Sequence, residues 1–178
     1  MYLCKHILYL IMEIQIKESD IKVAAAGGMD DFVMLFYNRI MEAIGGHLDA
    51  GSMQQLNSEQ ITLLAYIILR DEVMSGGFIQ LIHNGYGGFI FLNPFAKAMR
   101  LWGLNDLTKL IYKGRKLYEE CAQAIEQDCT DDEFMALYEQ YPDFDDLDDE
   151  FVTQEEGFTE AVARYVDEHI DAFATVLK

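Results

Sequence analysis

Asp143, Asp145, Asp146, Asp148, Asp149, Glu150, Glu155 and Glu156 place eight carboxylates within a span of fourteen residues. At this density such side chains serve one of two kinds of chemistry. A spaced subset can hold a divalent cation that activates water, or the whole set can present a negative field to the Lys and Arg groups of a cationic partner. The first requires a closed ligand set, and the spacing does not supply one. Asp143, Asp145 and Asp148 approach the start of a calcium loop, yet Leu147 falls on a ligand position and Asp148 stands where the turn requires glycine. His6, His47, His83 and His169 lie far apart, with no HExxH or catalytic-triad spacing. Cys121 and Cys129 stand eight residues apart, and no CxxC occurs. No metal site and no cofactor are expected. A metal-dependent enzyme built on the acidic cluster is the competing reading, and a binding protein the preferred one.

The acids are concentrated in one part of the chain. From Asp131 to Asp171, sixteen of forty-one residues are Asp or Glu and Arg164 is the single base, whereas Met1 to Ile125 holds thirteen acids against eleven bases. A net charge of −18 repels nucleic acid and anionic lipid, so neither direct nucleic-acid binding nor membrane binding is expected. The expected partner is itself basic, a DNA-binding protein or a nuclease toxin, and a homodimer is compatible with the composition. With 51% hydrophobic and 12% aromatic residues, 178 residues can close a sizeable core, so the acidity does not imply disorder. Three cysteines without a CxxC fit a reducing cytosol, and the expected localisation is cytoplasmic. Residues 1–12 lack a signal-peptide cleavage site and are too short to span a bilayer. They read either as a dispensable N-terminal extension or as a packed strand.

The elements that must position these side chains read as helices. Glu13 to Lys17 alternate as a short strand would, and a brief helix then runs to Ala26 before Gly27-Gly28. Phe32, Leu35, Phe36, Ile40 and Ala43 recur at spacings of three and four, and Ile61, Leu64, Ala65, Ile68 and Leu69 do so again in a helix ending near Ser75 to Gly77. A short helix, Phe78 to His83, precedes a turn from Asn84 to Gly88, in which three glycines are expected to supply unusual backbone angles. Pro94 opens a helix to Trp102, and a long amphipathic helix follows to about Gln127, with Gly114 a weak point inside it. Thr130-Asp-Asp-Glu133 is a capping box. The stretch from Asp143 to Glu156 is expected to be an ordered or half-ordered loop anchored by Phe144, Leu147, Phe151 and Val152, with a last helix from Gly157 to Leu177.

A second candidate site is the glycine-rich block Ser75-Gly-Gly-Phe-Ile-Gln-Leu-Ile-His-Asn-Gly85. Gly76, Gly77, Phe78, Gln80, Asn84 and Gly85 would line a small-ligand pocket or, the stronger reading, form a structural turn in which Gln80 or Asn84 bonds helix-end backbone groups. With the helices that follow it, from Leu56 to Glu120 overall, this block resembles a bacterial family of DNA-mimic proteins. The resemblance implies an all-helical fold. It also implies an acidic surface that imitates the phosphate backbone and occupies a DNA-binding protein. The mimicry itself has to come from this chain's own acids, which lie outside the block.

The resulting expectation is a mainly α, compact multi-helix domain over residues 13–178. Residues 13–127 would be a near-neutral core and residues 128–178 a strongly acidic part with a loop and a helix. The function expected is an acidic protein-binding module. Its eight carboxylates would occupy a basic DNA-binding protein or, as an immunity-type inhibitor, a basic toxin.

Overall fold

The computed structural model describes residues 12–178, so the readings made for residues 1–11 lie outside the described residues. Among the described residues the chain is built of helices, with one pair of three-residue strands. The helical class expected from the periodicity is therefore the one observed. The chain groups into two compact units, one of Met1–Ile61 with Val166–Lys178 and one of Thr62–Tyr165.

In the first unit, strand β1 (Gln15–Lys17) pairs in parallel with β2 (Thr175–Leu177), in the register Gln15 to Thr175, Ile16 to Val176 and Lys17 to Leu177. Helices α1 (Glu18–Gly27) and α2 (Met29–Ala43) form a hairpin about Gly28, whose φ of 124° suits glycine. Phe32, Val33, Phe36 and Ile40 are buried along α2, as their spacing of three and four requires. Helix α3 (Ala50–Met53) is one turn that the apolar pattern does not announce. It exists because Asp49 accepts from the Gly51 and Ser52 amides while Ser52 Oγ accepts from the Asp49 amide. A second reciprocal cap starts α4 (Ser58–His83), where Asn57 and Gln60 each accept the other's backbone amide at 2.9–3.0 Å. Asn57 and Gln60 also donate to the carbonyls of Ala172 and Phe173, which ties the short helix α10 (Ile170–Phe173) to the start of α4.

The second unit takes the rest of α4, then α5 (Gly87–Phe91), α6 (Phe95–Leu101), α7 (Asn105–Ile125) and α8 (Asp131–Gln140). A 3-10 turn at Pro142–Phe144 leads into α9 (Asp145–Glu168), the helix that carries the acidic run. Its core gathers Phe78, Phe91, Phe144, Phe151 and Tyr66, all essentially solvent-free. Phe78 meets Phe91 and Phe151 at centroid distances of 6.1 and 6.3 Å. Tyr66 Oη lies 2.7 Å from Thr159 Oγ1, which in turn donates to Glu155, so the buried hydroxyls form a chain that ends on a carboxylate. Thr130 and Glu133 form the expected capping box at the start of α8.

Four local expectations are corrected. The stretch from Asp143 to Glu156 is helix rather than loop, and α9 begins at Asp145, not at Gly157. Asp145, Asp146 and Asp148 occupy its first turn, where carboxylates oppose the helix dipole, and Phe144, Leu147, Phe151, Phe158 and Val162 bury one face. Val152, expected to anchor the stretch, is exposed. The helix ends at Glu168 and not at Leu177, because His169 (φ −131°, ψ 32°) leaves the helical region before α10 (Ile170–Phe173) and β2. Finally, of the three glycines after Asn84 only Gly85 has a positive φ, whereas Gly87 and Gly88 open α5. Gly87 is small because a Cβ there would run into the Tyr118 ring.

Two helix-interior glycines separate steric need from tolerance. A Cβ on Gly114 would stand 2.8 Å from Cε1 of Phe91, while one on Gly157 would meet nothing within 4 Å. Gly114→Ala should therefore lower stability by about 1–2 kcal/mol, overpacking outweighing the gain in helix propensity. Gly157→Ala should raise it by about 0.5–1 kcal/mol. Urea denaturation of the two variants beside the wild type checks both signs; a shift of the same sign in both would contradict this account.

Candidate functional site

The two candidate regions of the sequence meet at one point. Helix α4 is interrupted at Gly76 (φ −164°, ψ 25°) and Gly77 (φ 71°, ψ −176°), which breaks the run of i to i−4 hydrogen bonds and leaves backbone groups to be satisfied from elsewhere. The Tyr138 hydroxyl, from α8, donates to the Gly76 carbonyl at 2.8 Å. The Phe78 amide donates to Asp148 Oδ1, from α9, also at 2.8 Å. Asp148 thus caps the helical turn that begins at Phe78, although it lies seventy residues away. Gly77 is required twice over: its φ is one that side chains rarely adopt, and a Cβ would collide with the Asp148 carboxylate.

Across the break, Glu72 Oε2 accepts from Gln80 Nε2 at 3.0 Å and from Asn84 Nδ2 at 2.8 Å. These are side-chain to side-chain bonds, which corrects the expectation that Gln80 or Asn84 would bond the backbone. Phe78 and Ile82 are buried, and Gly85 (φ 82°) closes the helix with the Gly85 amide on Ile82 and the Tyr86 amide on Leu81. Within the glycine-rich block Gly77 and Gly85 take positive φ, Phe78 is buried in the core, and Gln80 and Asn84 both bond Glu72 across the break.

The carboxylates of the acidic run divide into two sets. Asp148 is half-buried and turned to the break, so the expectation that all eight form a surface is corrected there: the Phe78 amide, left over by the interrupted helix, draws it inward. Glu150 is half-buried and pairs with Lys113 at 2.6 Å, and Glu155 accepts from Thr159 at 2.6 Å. Asp143, Asp145, Asp146, Asp149 and Glu156 are exposed, and no hydrogen bond or ion pair among the described residues engages them. Glu160, on the same solvent face, pairs with Arg164 at 2.7 Å. From Asp145 to Glu160 the helix offers five exposed acids along about 24 Å of axis at 1.5 Å per residue. That is one per about 5 Å, against 3.4 Å for a single strand of duplex DNA. Asp131, Asp132 and Glu139 of α8 are exposed as well.

Burial pushes the Asp148 carboxyl up to about 6, and the neighbouring charges of Asp145 and Asp149 add to the rise, while the Phe78 amide opposes it. Burial likewise raises the Tyr138 hydroxyl, with the Asp148 charge contributing. The calcium-like spacing gathers no ion site, because Asp148 faces inward while Asp143 and Asp145 face solvent. Among the described residues no three His, Cys, Asp or Glu side chains converge as metal ligands, and no helix is long and apolar enough to cross a membrane.

A broken helix stapled from within by one carboxylate of a long acidic helix, with that helix's Asp145, Asp146, Asp149 and Glu156 turned to solvent, defines a small, acidic, helical protein. The DMP19-like protein family matches residues 54–169, and the chain belongs to that family. DNA mimic protein DMP19 of Neisseria meningitidis serogroup B is 32% identical over 126 residues, which cover 70% of this chain and 76% of that protein. The family match runs well past Glu120, where the resemblance read from the glycine-rich block ends, and includes Tyr138, Asp148 and all of α8 and α9.

Asp148 gives a signed pH prediction. Its folded pKa of about 6 lies above the ordinary 3.8, so between these values the native state holds a proton that the unfolded state has released. Stability from this group is then greatest below pH 4 and declines as pH rises through 6. Asp148→Asn keeps an acceptor for the Phe78 amide and carries no charge. It should match or exceed the wild type at pH 7, by on the order of 1 kcal/mol after solvent screening, and lose that advantage at pH 4. Asp148→Ala should cost about 1–2 kcal/mol at pH 4, where the charge no longer offsets the lost acceptor. Chemical denaturation at the two pH values reads both; a pH-independent difference between wild type and Asp148→Asn would contradict the assignment.

Proposed function

We propose that this protein is a DNA mimic: its exposed carboxylates on α9 and the adjoining turn occupy the phosphate-binding surface of a basic DNA-binding protein and so compete with DNA. The observation that carries the reading is the set of acids Asp143, Asp145, Asp146, Asp149 and Glu156, which face solvent with no internal partner on a helix held rigidly by its opposite face. A cation-lined surface evolved to meet phosphates finds comparable charge spacing here, and the ions it had gathered are released on binding. Membership in the DMP19-like family and the similarity to a protein named as a DNA mimic support the same conclusion. A nuclease toxin would present the same kind of cationic surface and is the alternative partner. The glycine-rich block acts here as scaffold, since its side chains are engaged with one another and with α8 and α9.

The test separates surface charge from the internal carboxylate. Asp146→Asn, Asp149→Asn and Glu156→Gln combined, with Asp148 left intact, should keep the fold and weaken binding to a captured DNA-binding partner by at least tenfold. The wild-type protein should displace a labelled duplex from that partner, less well as salt rises, because exposed charges beyond about 8 Å are screened at physiological ionic strength. Retention of the partner at wild-type affinity by the triple variant would reduce the acidic face to a solubilising surface.

A further inference from the structure

Residues 92–116 carry Lys97, Arg100, Lys109, Lys113, Arg115 and Lys116 against Asp106, and of these cations Lys109, Lys113 and Arg115 pair with Asp106, Glu150 and Glu119. This segment borders an open groove formed where the end of α5, α6 and α7 come together. Its floor is the buried pair Phe91 and Ile111, and its walls include Leu92 and Tyr112, which stand 56% and 45% exposed. Lys97 and Arg115 line it as well. Lys97 has no carboxylate partner among the described residues. Arg115 uses Nε for Glu119 at 2.7 Å, which leaves the terminal nitrogens of its guanidinium for a second acceptor. Apolar surface that folding leaves in water, bounded by two cations on a chain of net charge −18, is not explained by solubility.

We propose that this groove is a second docking surface, separate from the acidic face, and that its occupant is an acidic peptide segment of a partner protein. One aliphatic or aromatic side chain of that segment would rest against Leu92 and Tyr112 over Phe91 and Ile111. Carboxylates to either side of it would meet Lys97 and the Arg115 fork. Charge complementarity selects this chemistry. A basic segment would meet like charge at both rims, and a neutral apolar one would leave Lys97 partly desolvated without a partner. Nucleic acid would satisfy the cations, but its phosphate backbone would leave the apolar walls unfilled.

A fluorescently labelled peptide alternating aspartate with leucine and phenylalanine, titrated into the full chain and followed by anisotropy, tests the assignment. Saturable one-to-one binding is expected. It should weaken at least tenfold in Lys97→Glu combined with Arg115→Gln, and comparably in Tyr112→Ala, while the Asp146, Asp149 and Glu156 triple variant binds the peptide at least as well as wild type. These side chains are exposed, and circular dichroism melts should confirm that the variants fold. Four results overturn the proposal: no saturation, wild-type affinity in the groove variants, equal affinity for an oligothymidylate of matched charge, or a concentration-dependent dimer that Leu92→Asp abolishes. The last would assign the groove to a second copy of the chain.

Discussion

The hydrogen bond from the Phe78 amide to Asp148 is the constraint around which residues 62–165 are arranged. An interrupted helix next to a core cannot leave its first amide unsatisfied, and this one lies beside Phe78, whose ring sits between Phe91 and Phe151. The acceptor could have been a local serine or aspartate, as at Asp49 and Thr130. Instead it comes from a helix far along the sequence, so the bond that completes α4 also sets the rotation of α9. With Asp148 turned in and Leu147, Phe151, Phe158 and Val162 packed beside it, Asp145, Asp149 and Glu156 can only face water. The display of charge follows from how one carboxylate is buried.

Acids in this protein divide by occupation more than by position. Glu72 staples two helical segments, Glu133 completes a cap, Glu126 accepts from the Tyr118 hydroxyl and Glu155 ends a buried hydroxyl chain. Tyr118 is pushed up to about 12 by burial together with Glu126, which keeps its proton in place as a donor at any ordinary pH. These carboxylates keep their charge, but their oxygens are engaged by donors within the molecule. Asp143, Asp145, Asp146, Asp149 and Glu156, without such a partner, lie on the outer face of α9 and the turn before it.

Much of this is legible in the sequence. Periodicities of three and four mark α2, α4 and α7, the Thr130 capping box marks α8, and the Gly76-Gly77 break is readable from the paired glycines before a renewed apolar pattern. In the acidic segment, charge density masks the spacing of Phe144, Leu147, Phe151 and Phe158, which is helical when the acids between them are ignored. Asp148 is legible only in hindsight, at i+4 from Phe144 and one residue from Leu147, close to the apolar stripe. The partners of Gln80 and Asn84 are not legible, since nothing local distinguishes a backbone group from Glu72, eight and twelve residues back. Helix α3 escapes a reading by periodicity because its signal is the Asp49 and Ser52 cap, with no apolar repeat to accompany it. Gly87 and Gly114 read as flexible or weak positions, whereas the aromatic rings of Tyr118 and Phe91 lie against them.

The parallel pairing of β1 with β2 joins segments about 160 residues apart in sequence, a loop-closure cost that only late, collective assembly can meet. By contrast, the residues from Thr62 to Tyr165 form one continuous stretch with many neighbours close in sequence. The acidic helix and its glycine break can therefore close their contacts before the two ends of the chain have met. The order of maturation would run from the middle of the polypeptide outward, and the strand pair would be the last secondary structure to form and the first to open.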